Sequence, residues 1–92
     1  MNEQRKTITI VNQRGLHARA SAKFVGAVAE LDGATQVRVA KGANEAGGGS
    51  ILGLMMLGAA KGDTVEVIVS GDNAETVLAD LAALVENGFG EE

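Results

Sequence analysis

Polar and apolar residues alternate over Thr7-Ile8-Thr9-Ile10-Val11, the period of a strand with one buried face. The alternation stops at Asn12–Gly15. From Ala18 to about Glu30 the period lengthens, and Ala20, Phe24, Ala27, Val28 and Leu31 fall on one side of a helix. Asp32-Gly33 is expected to end it, with the glycine as terminator. Thr35–Ala40 alternates again and predicts a second strand. After a turn at Lys41-Gly42, residues 44–46 are expected to form a short third strand, crowded by glycine on both sides. The compact apolar run from Ser50 to Leu57 predicts a short helix with Ser50 at its N-cap and Gly58 past its end. Thr64–Val69 reads as a strand whose Val65, Val67 and Val69 face one way. Asp72-Asn73-Ala74-Glu75 has capping-box spacing with an acid in place of Ser or Thr. Val77, Leu78, Leu81, Leu84 and Val85 then make the stripe of a last helix. Asn87-Gly88 closes it, and Phe89–Glu92 is expected to be a loose tail.

The resulting order is β-α-β-β-α-β-α, with no linker or repeat. Four strands sharing one apolar face need cover, and three helices can supply it from one side. The expectation is an α+β two-layer sandwich with a mostly antiparallel sheet, folded as one domain over residues 1–92.

Composition narrows the chemistry. The chain is 46% hydrophobic but only 2% aromatic, so its core must come from Val, Leu, Ile, Ala and Met. It has no cysteine, which excludes disulfides, thiolate metal sites and cysteine nucleophiles. One histidine in such a chain cannot assemble a usual zinc site. The glycines at 42, 47, 48 and 49 do not lead into Gly-Lys-Ser/Thr, so no phosphate-binding loop of the nucleotide type is present. No metal, cofactor or nucleotide is therefore expected. The N-terminus lacks the apolar stretch of a signal peptide and no segment approaches about 18 apolar residues, so a cytoplasmic protein with no membrane insertion is expected.

The net charge of −4 is unevenly placed. Residues 1–23 hold Arg5, Lys6, Arg14, Arg19 and Lys23 against Glu3, a local charge of +4, while the rest of the chain carries −8. A basic end on an acidic protein points to an acidic partner or a bound anion. Nucleic acid is not expected, because there are almost no aromatics for stacking and no basic tract.

His17 is the only histidine. It stands where the first strand turns into the first helix, at or beside the N-cap. Free amides and the helix dipole make such a terminus an anion site. Arg19, in the same turn, can form charge-assisted bonds to phosphate oxygens. On position alone a surface or capping histidine is the commoner case. The neighbouring residues reverse that reading.

Gly15-Leu16-His17-Ala18-Arg19-Ala20-Ser21-Ala22-Lys23-Phe24-Val25, with Ser50-Ile51-Leu52-Gly53-Leu54-Met55-Met56-Leu57-Gly58-Ala59 downstream, resembles the two signature stretches of the HPr phosphocarriers of the bacterial phosphotransferase system. The element order and length resemble that family too. The resemblance implies an HPr-like open-faced β-sandwich, a four-stranded antiparallel sheet with three helices on one face. It also implies that His17 takes a phosphoryl group on Nδ1 from enzyme I and passes it to an enzyme IIA-type protein. Arg19 matches the family's active-site arginine, and Ser50 the serine modified by an HPr kinase/phosphorylase. Ile51, Leu52 and Met55 match the apolar docking surface. The implied protein is a carrier rather than an enzyme, and a monomer. A regulatory protein that binds targets according to its phosphorylation state is the alternative. Two departures bear on the branch: Ala20 replaces the usual proline, and Gly47-Gly48-Gly49 precedes Ser50. Both look more like the nitrogen-type or regulatory members.

Three features have plain readings beside these. Ser50 as an N-cap already explains a serine there. Met55 and Met56 are adjacent and cannot both face the core, so one is expected to be exposed. The glycine run is most simply a flexible loop.

Overall fold

The computed structural model describes residues 3–90. Its elements are β1 (Glu3–Thr9), α1 (Ala18–Ala29), β2 (Gln36–Lys41), β3 (Asn44–Gly47), α2 (Ile51–Met56), β4 (Thr64–Ser70) and α3 (Ala74–Glu86), followed by a 3-10 turn over Gly88–Gly90. The strands form one sheet in the order β1-β4-β2-β3, and every neighbouring pair is antiparallel. The expected α+β open sandwich is the observed fold.

The register explains the two faces. Ile8 pairs with Val65 between β1 and β4, and Val37 and Val39 pair with Val69 and Val67 between β2 and β4. All six are buried, and they floor a core completed by Ala20 and Phe24 of α1, Leu54 of α2, and Val77, Leu78, Leu81 and Val85 of α3. The opposite face carries a chain of ion pairs. Arg5 bridges Glu3 and Glu66, and Arg38 bridges Glu3 and Glu45, at 2.7–3.3 Å. Beneath it Ile68 is buried between its cross-strand partners Arg5 and Arg38. The aliphatic stems of two arginines can cover an isoleucine while their charged heads stay in water. This face therefore needs no helix.

β1 runs over Glu3–Thr9 where Thr7–Val11 was expected, and four further details differ from the sequence expectation. α1 is capped by Glu30, and Gly33 has no positive φ. Instead the Asp32 carboxylate accepts from the Ala34 and Thr35 amides at 2.9 and 3.1 Å and from Thr35 Oγ1 at 3.2 Å, so a side chain makes the turn. At α3 the N-cap is Asn73 and no side chain caps the helix, so the Asp72 capping box does not form. The glycine run is not uniformly loose: a Cβ on Gly48 would stand 2.7 Å from Val37 Cγ1, and its amide donates to the Val37 carbonyl at 2.8 Å. Finally, the tail is docked. Phe89 is 1% exposed although its φ is 60°. Burying an aromatic ring is worth about 2–3 kcal/mol, against about 1–2 kcal/mol for a left-handed residue, so burial wins. Lys23 Nζ fixes the turn by donating to the Phe89 carbonyl at 2.7 Å.

Candidate functional site

The turn that leads into His17 is tied down. The Gly15 amide donates to the Asn12 carbonyl at 3.2 Å, and Asn12 Nδ2 donates to the Gly15 carbonyl at 2.8 Å. The Leu16 amide donates to the Ala59 carbonyl at 3.0 Å, and Ser21 Oγ donates to the Leu16 carbonyl at 3.3 Å. Two more bonds, Ile10 amide to Asp63 carbonyl and Gly62 amide to Ile10 carbonyl, each 2.8 Å, join the same pair of loops. The turn thus rests on the loop that follows α2. Gly15 is required there: its φ is +60°, and a Cβ would lie 2.8 Å from Ala60 Cα and overlap the Ala59 carbonyl oxygen.

His17 is the N-cap of α1, with extended backbone at φ −76° and ψ −179°. Its carbonyl accepts from the Ser21 amide at 2.9 Å, which closes the first turn. Its side chain makes no cap bond. The amides of Ala18, Arg19 and Ala20 precede the first intrahelical donor, so the helix leaves them for solvent or an anion. The half-buried imidazole is thereby fixed at its base beside three donors and the positive end of a helix dipole.

The structure narrows the basic end foreseen in the sequence. Arg5 is spent in the sheet network, Lys6 pairs with Glu86 at 3.2 Å, and Lys23 holds the Phe89 carbonyl. Arg14 and Arg19 are exposed and enter no ion pair among the described residues. These two arginines bracket His17 in the chain.

α2 lies beside α1. Ser50 is its N-cap, and Ser50 Oγ accepts from the Gly53 amide at 2.9 Å, as the sequence predicted. Leu54 and Leu57 turn inward, and Ile51, Leu52, Met55 and Met56 turn out. Both methionines are exposed, not one: on this six-residue helix Leu54 is the buried residue, and Leu57 at the C-cap fills the next inward position.

Asn12 and the Ala59-Ala60 support were not picked out from the sequence. Asn12 had a signal, since an asparagine three residues before a glycine is a common turn former. Ala59 had none, because its role lies in its backbone carbonyl.

Among the described residues, no helix is long and apolar enough to cross a membrane, and no group of three His, Cys, Asp or Glu side chains could hold a metal ion.

Comparison with known proteins agrees with this fold. The family model described as "PTS HPr component phosphorylation site" matches residues 4–87. The phosphocarrier protein HPr of Neisseria meningitidis serogroup A is 39% identical over 87 residues, which is 95% of this chain and 96% of that protein. The phosphocarrier protein NPr of Shewanella violacea is 34% identical over 91 residues, covering 99% of this chain and 98% of its own. The crystal structure of HPr-C-His from Thermoanaerobacter tengcongensis has a TM-score of 0.88 and 37% identity, over 97% of this chain and 98% of that one. Fold and relatives together define a phosphocarrier, a protein that carries a phosphoryl group between others and is not itself an enzyme. The chain belongs to the HPr family of the phosphotransferase system.

Proposed function

We propose that His17 is the phosphoryl-carrying residue of this protein, accepting from enzyme I and donating to an enzyme IIA-type protein. The observation that carries the reading is the uncapped start of α1, where the His17 side chain leaves the first-turn amides open. In the acceptor step the P–N bond to the donor's histidine breaks as a P–N bond to His17 Nδ1 forms, so the bond type is conserved and transfer is reversible. The transferring group passes through a loose transition state with charge spread over its oxygens. The Ala18–Ala20 amides and Arg19 stabilise that charge, and the hydrogen-bonded Gly15-Leu16 turn supplies positioning in advance. The same donors hold the phosphoryl group after transfer.

Ile51, Leu52 and Met55 form the docking surface, an exposed apolar patch next to a charged site. Ser50 is the regulatory position for a kinase/phosphorylase using ATP. A phosphate there would add about two negative charges at the rim of the patch and repel an acidic partner. Ala20 and the Gly47–Gly49 run favour an acceptor of the nitrogen-type branch. The relay operates in the cytoplasm, with the carrier as a monomer.

The test is labelling by enzyme I and phosphoenolpyruvate. Wild type gains acid-labile phosphate and His17→Ala, confirmed folded by circular dichroism, gains none. Equal labelling of the two refutes the assignment. For Ser50, incubation with ATP and a cognate kinase should place an acid-stable phosphate on that residue, and its absence removes the regulatory part.

A further inference from the structure

Two of the four outward side chains of α2 are thioethers. Met55 is 40% exposed and Met56 76%, beside Leu52 at 67% and Ile51 at 39%. Leu54 and Leu57, both buried, hold the helix to the body, and the methionines stand at its outer side, Met56 more open than Met55. The chain has no cysteine and three methionines, and an oxidant that reaches it finds thioethers instead of a thiol.

We propose that Met55 and Met56 are a reversible oxidative modification site, whose sulfoxides withdraw α2 from docking. The inference rests on the reading of α2 as the docking surface. The oxidant is a peroxide. A sulfur lone pair attacks one peroxide oxygen, the O–O bond breaks as the S–O bond forms, and with hydrogen peroxide the second oxygen leaves as water. The sulfur loses two electrons and the peroxide gains them. A thiol-dependent sulfoxide reductase reverses the step.

The consequence follows from what the patch is made of. Two of its four outward side chains change from flexible and apolar to polar and hydrated, and a hydrated S–O group must be stripped of water before a partner can close over it. The buried anchors, Leu54 in α2 and Leu57 at its C-cap, carry no sulfur and keep the helix on the body. The switch therefore acts on association more than on stability.

The experiment treats the carrier with hydrogen peroxide, removes the oxidant, and then measures phosphoryl transfer from enzyme I at limiting carrier concentration. Peptide mass spectrometry identifies the oxidised residues. Wild type should carry sulfoxide at both positions and transfer about tenfold more slowly than before treatment, the scale of losing contacts at the centre of an interface. Circular dichroism should not change, and a methionine sulfoxide reductase should restore the rate. The double variant Met55→Leu/Met56→Leu keeps Met1, and its rate, whatever its starting value, should be indifferent to peroxide. Leu52→Glu tests the docking reading in the same assay. Peroxide that leaves both methionines intact overturns the proposal. So does doubly oxidised wild type transferring at its untreated rate while Leu52→Glu is slow. If Leu52→Glu also transfers at the wild-type rate, the docking reading falls and the modification proposal falls with it.

Discussion

α1 and α2 both begin on a residue with extended backbone, yet they treat their first turns in opposite ways. Ser50, at φ −117° and ψ 109°, folds its hydroxyl back to accept from the Gly53 amide at 2.9 Å. His17, at φ −76° and ψ −179°, makes no such bond. A side-chain cap is worth about 1 kcal/mol, so α1 forgoes stability that α2 keeps. What α1 gains is a set of donors left for an anion. The surroundings differ accordingly. The turn before His17 is fixed by bonds from Asn12, Ala59 and Ser21. The approach to Ser50 runs through Gly49, where a Cβ would meet nothing within 4 Å. An uncapped helix end on a rigid turn suits group transfer, and a capped end on an open approach suits access by another enzyme.

The contrast is broken most severely at Gly15. Gly15→Ala places a Cβ against the Ala59 carbonyl and Ala60 Cα at a left-handed φ, and both of the atoms it meets are backbone. The turn must lift from its support, at about 2–4 kcal/mol. Urea denaturation should show the loss, and labelling of His17 should slow because its base is no longer fixed. Unchanged stability would mean that the turn does not lean on the Ala59-Ala60 backbone, and the two helix starts would then differ in capping only.

How much of this contrast was legible beforehand depended on whether a residue acts through its side-chain type or through distant backbone. The alternation at Thr64–Val69 and the stripe from Val77 to Val85 carry their own period, and the sheet and α3 follow from them. Ser50 was legible because a serine before an apolar run has one dominant local use. His17 was legible as a residue at a helix start, but its rigidity was not. That depends on the Ala59 carbonyl, which the fold brings to the Leu16 amide from 43 positions along the chain. The charge count overstated the basic end of the molecule, because Arg5, Lys6 and Lys23 have partners that only the tertiary structure supplies. Phe89 was misread for a similar reason. Its neighbours Gly88, Gly90 and Glu91 look like a tail, and what holds the ring is a core that lacks other aromatics apart from Phe24.

A smaller effect, confined to the open helix end, is expected at Arg19. It is exposed and unpaired among the described residues, so Arg19→Ala should leave the melting temperature unchanged. Transfer from enzyme I should slow by about tenfold, the usual order for one charged donor to a transferring phosphoryl group. Arg19→Lys should recover part of the rate, since it keeps the charge but not the planar donor fork. A rate equal to wild type for both variants would leave the amides as the site's sole electrostatic support.

The smallest effect lies at the capped end and concerns stability alone. Ser50→Ala removes the acceptor of the Gly53 amide, and α2 should lose about 1 kcal/mol. Ser50→Gly should lose only a few tenths, because glycine at an N-cap lets water reach the amide that the hydroxyl had satisfied. Denaturation midpoints of the two variants against wild type separate these cases, with the denaturant slope serving as the check that the unfolded states are comparable. Should Ser50→Ala prove as stable as wild type, the hydroxyl at 2.9 Å contributes nothing net beyond what solvent gives. Ser50 would then have no structural reason to be a serine, and the regulatory reading would be the only one left for it.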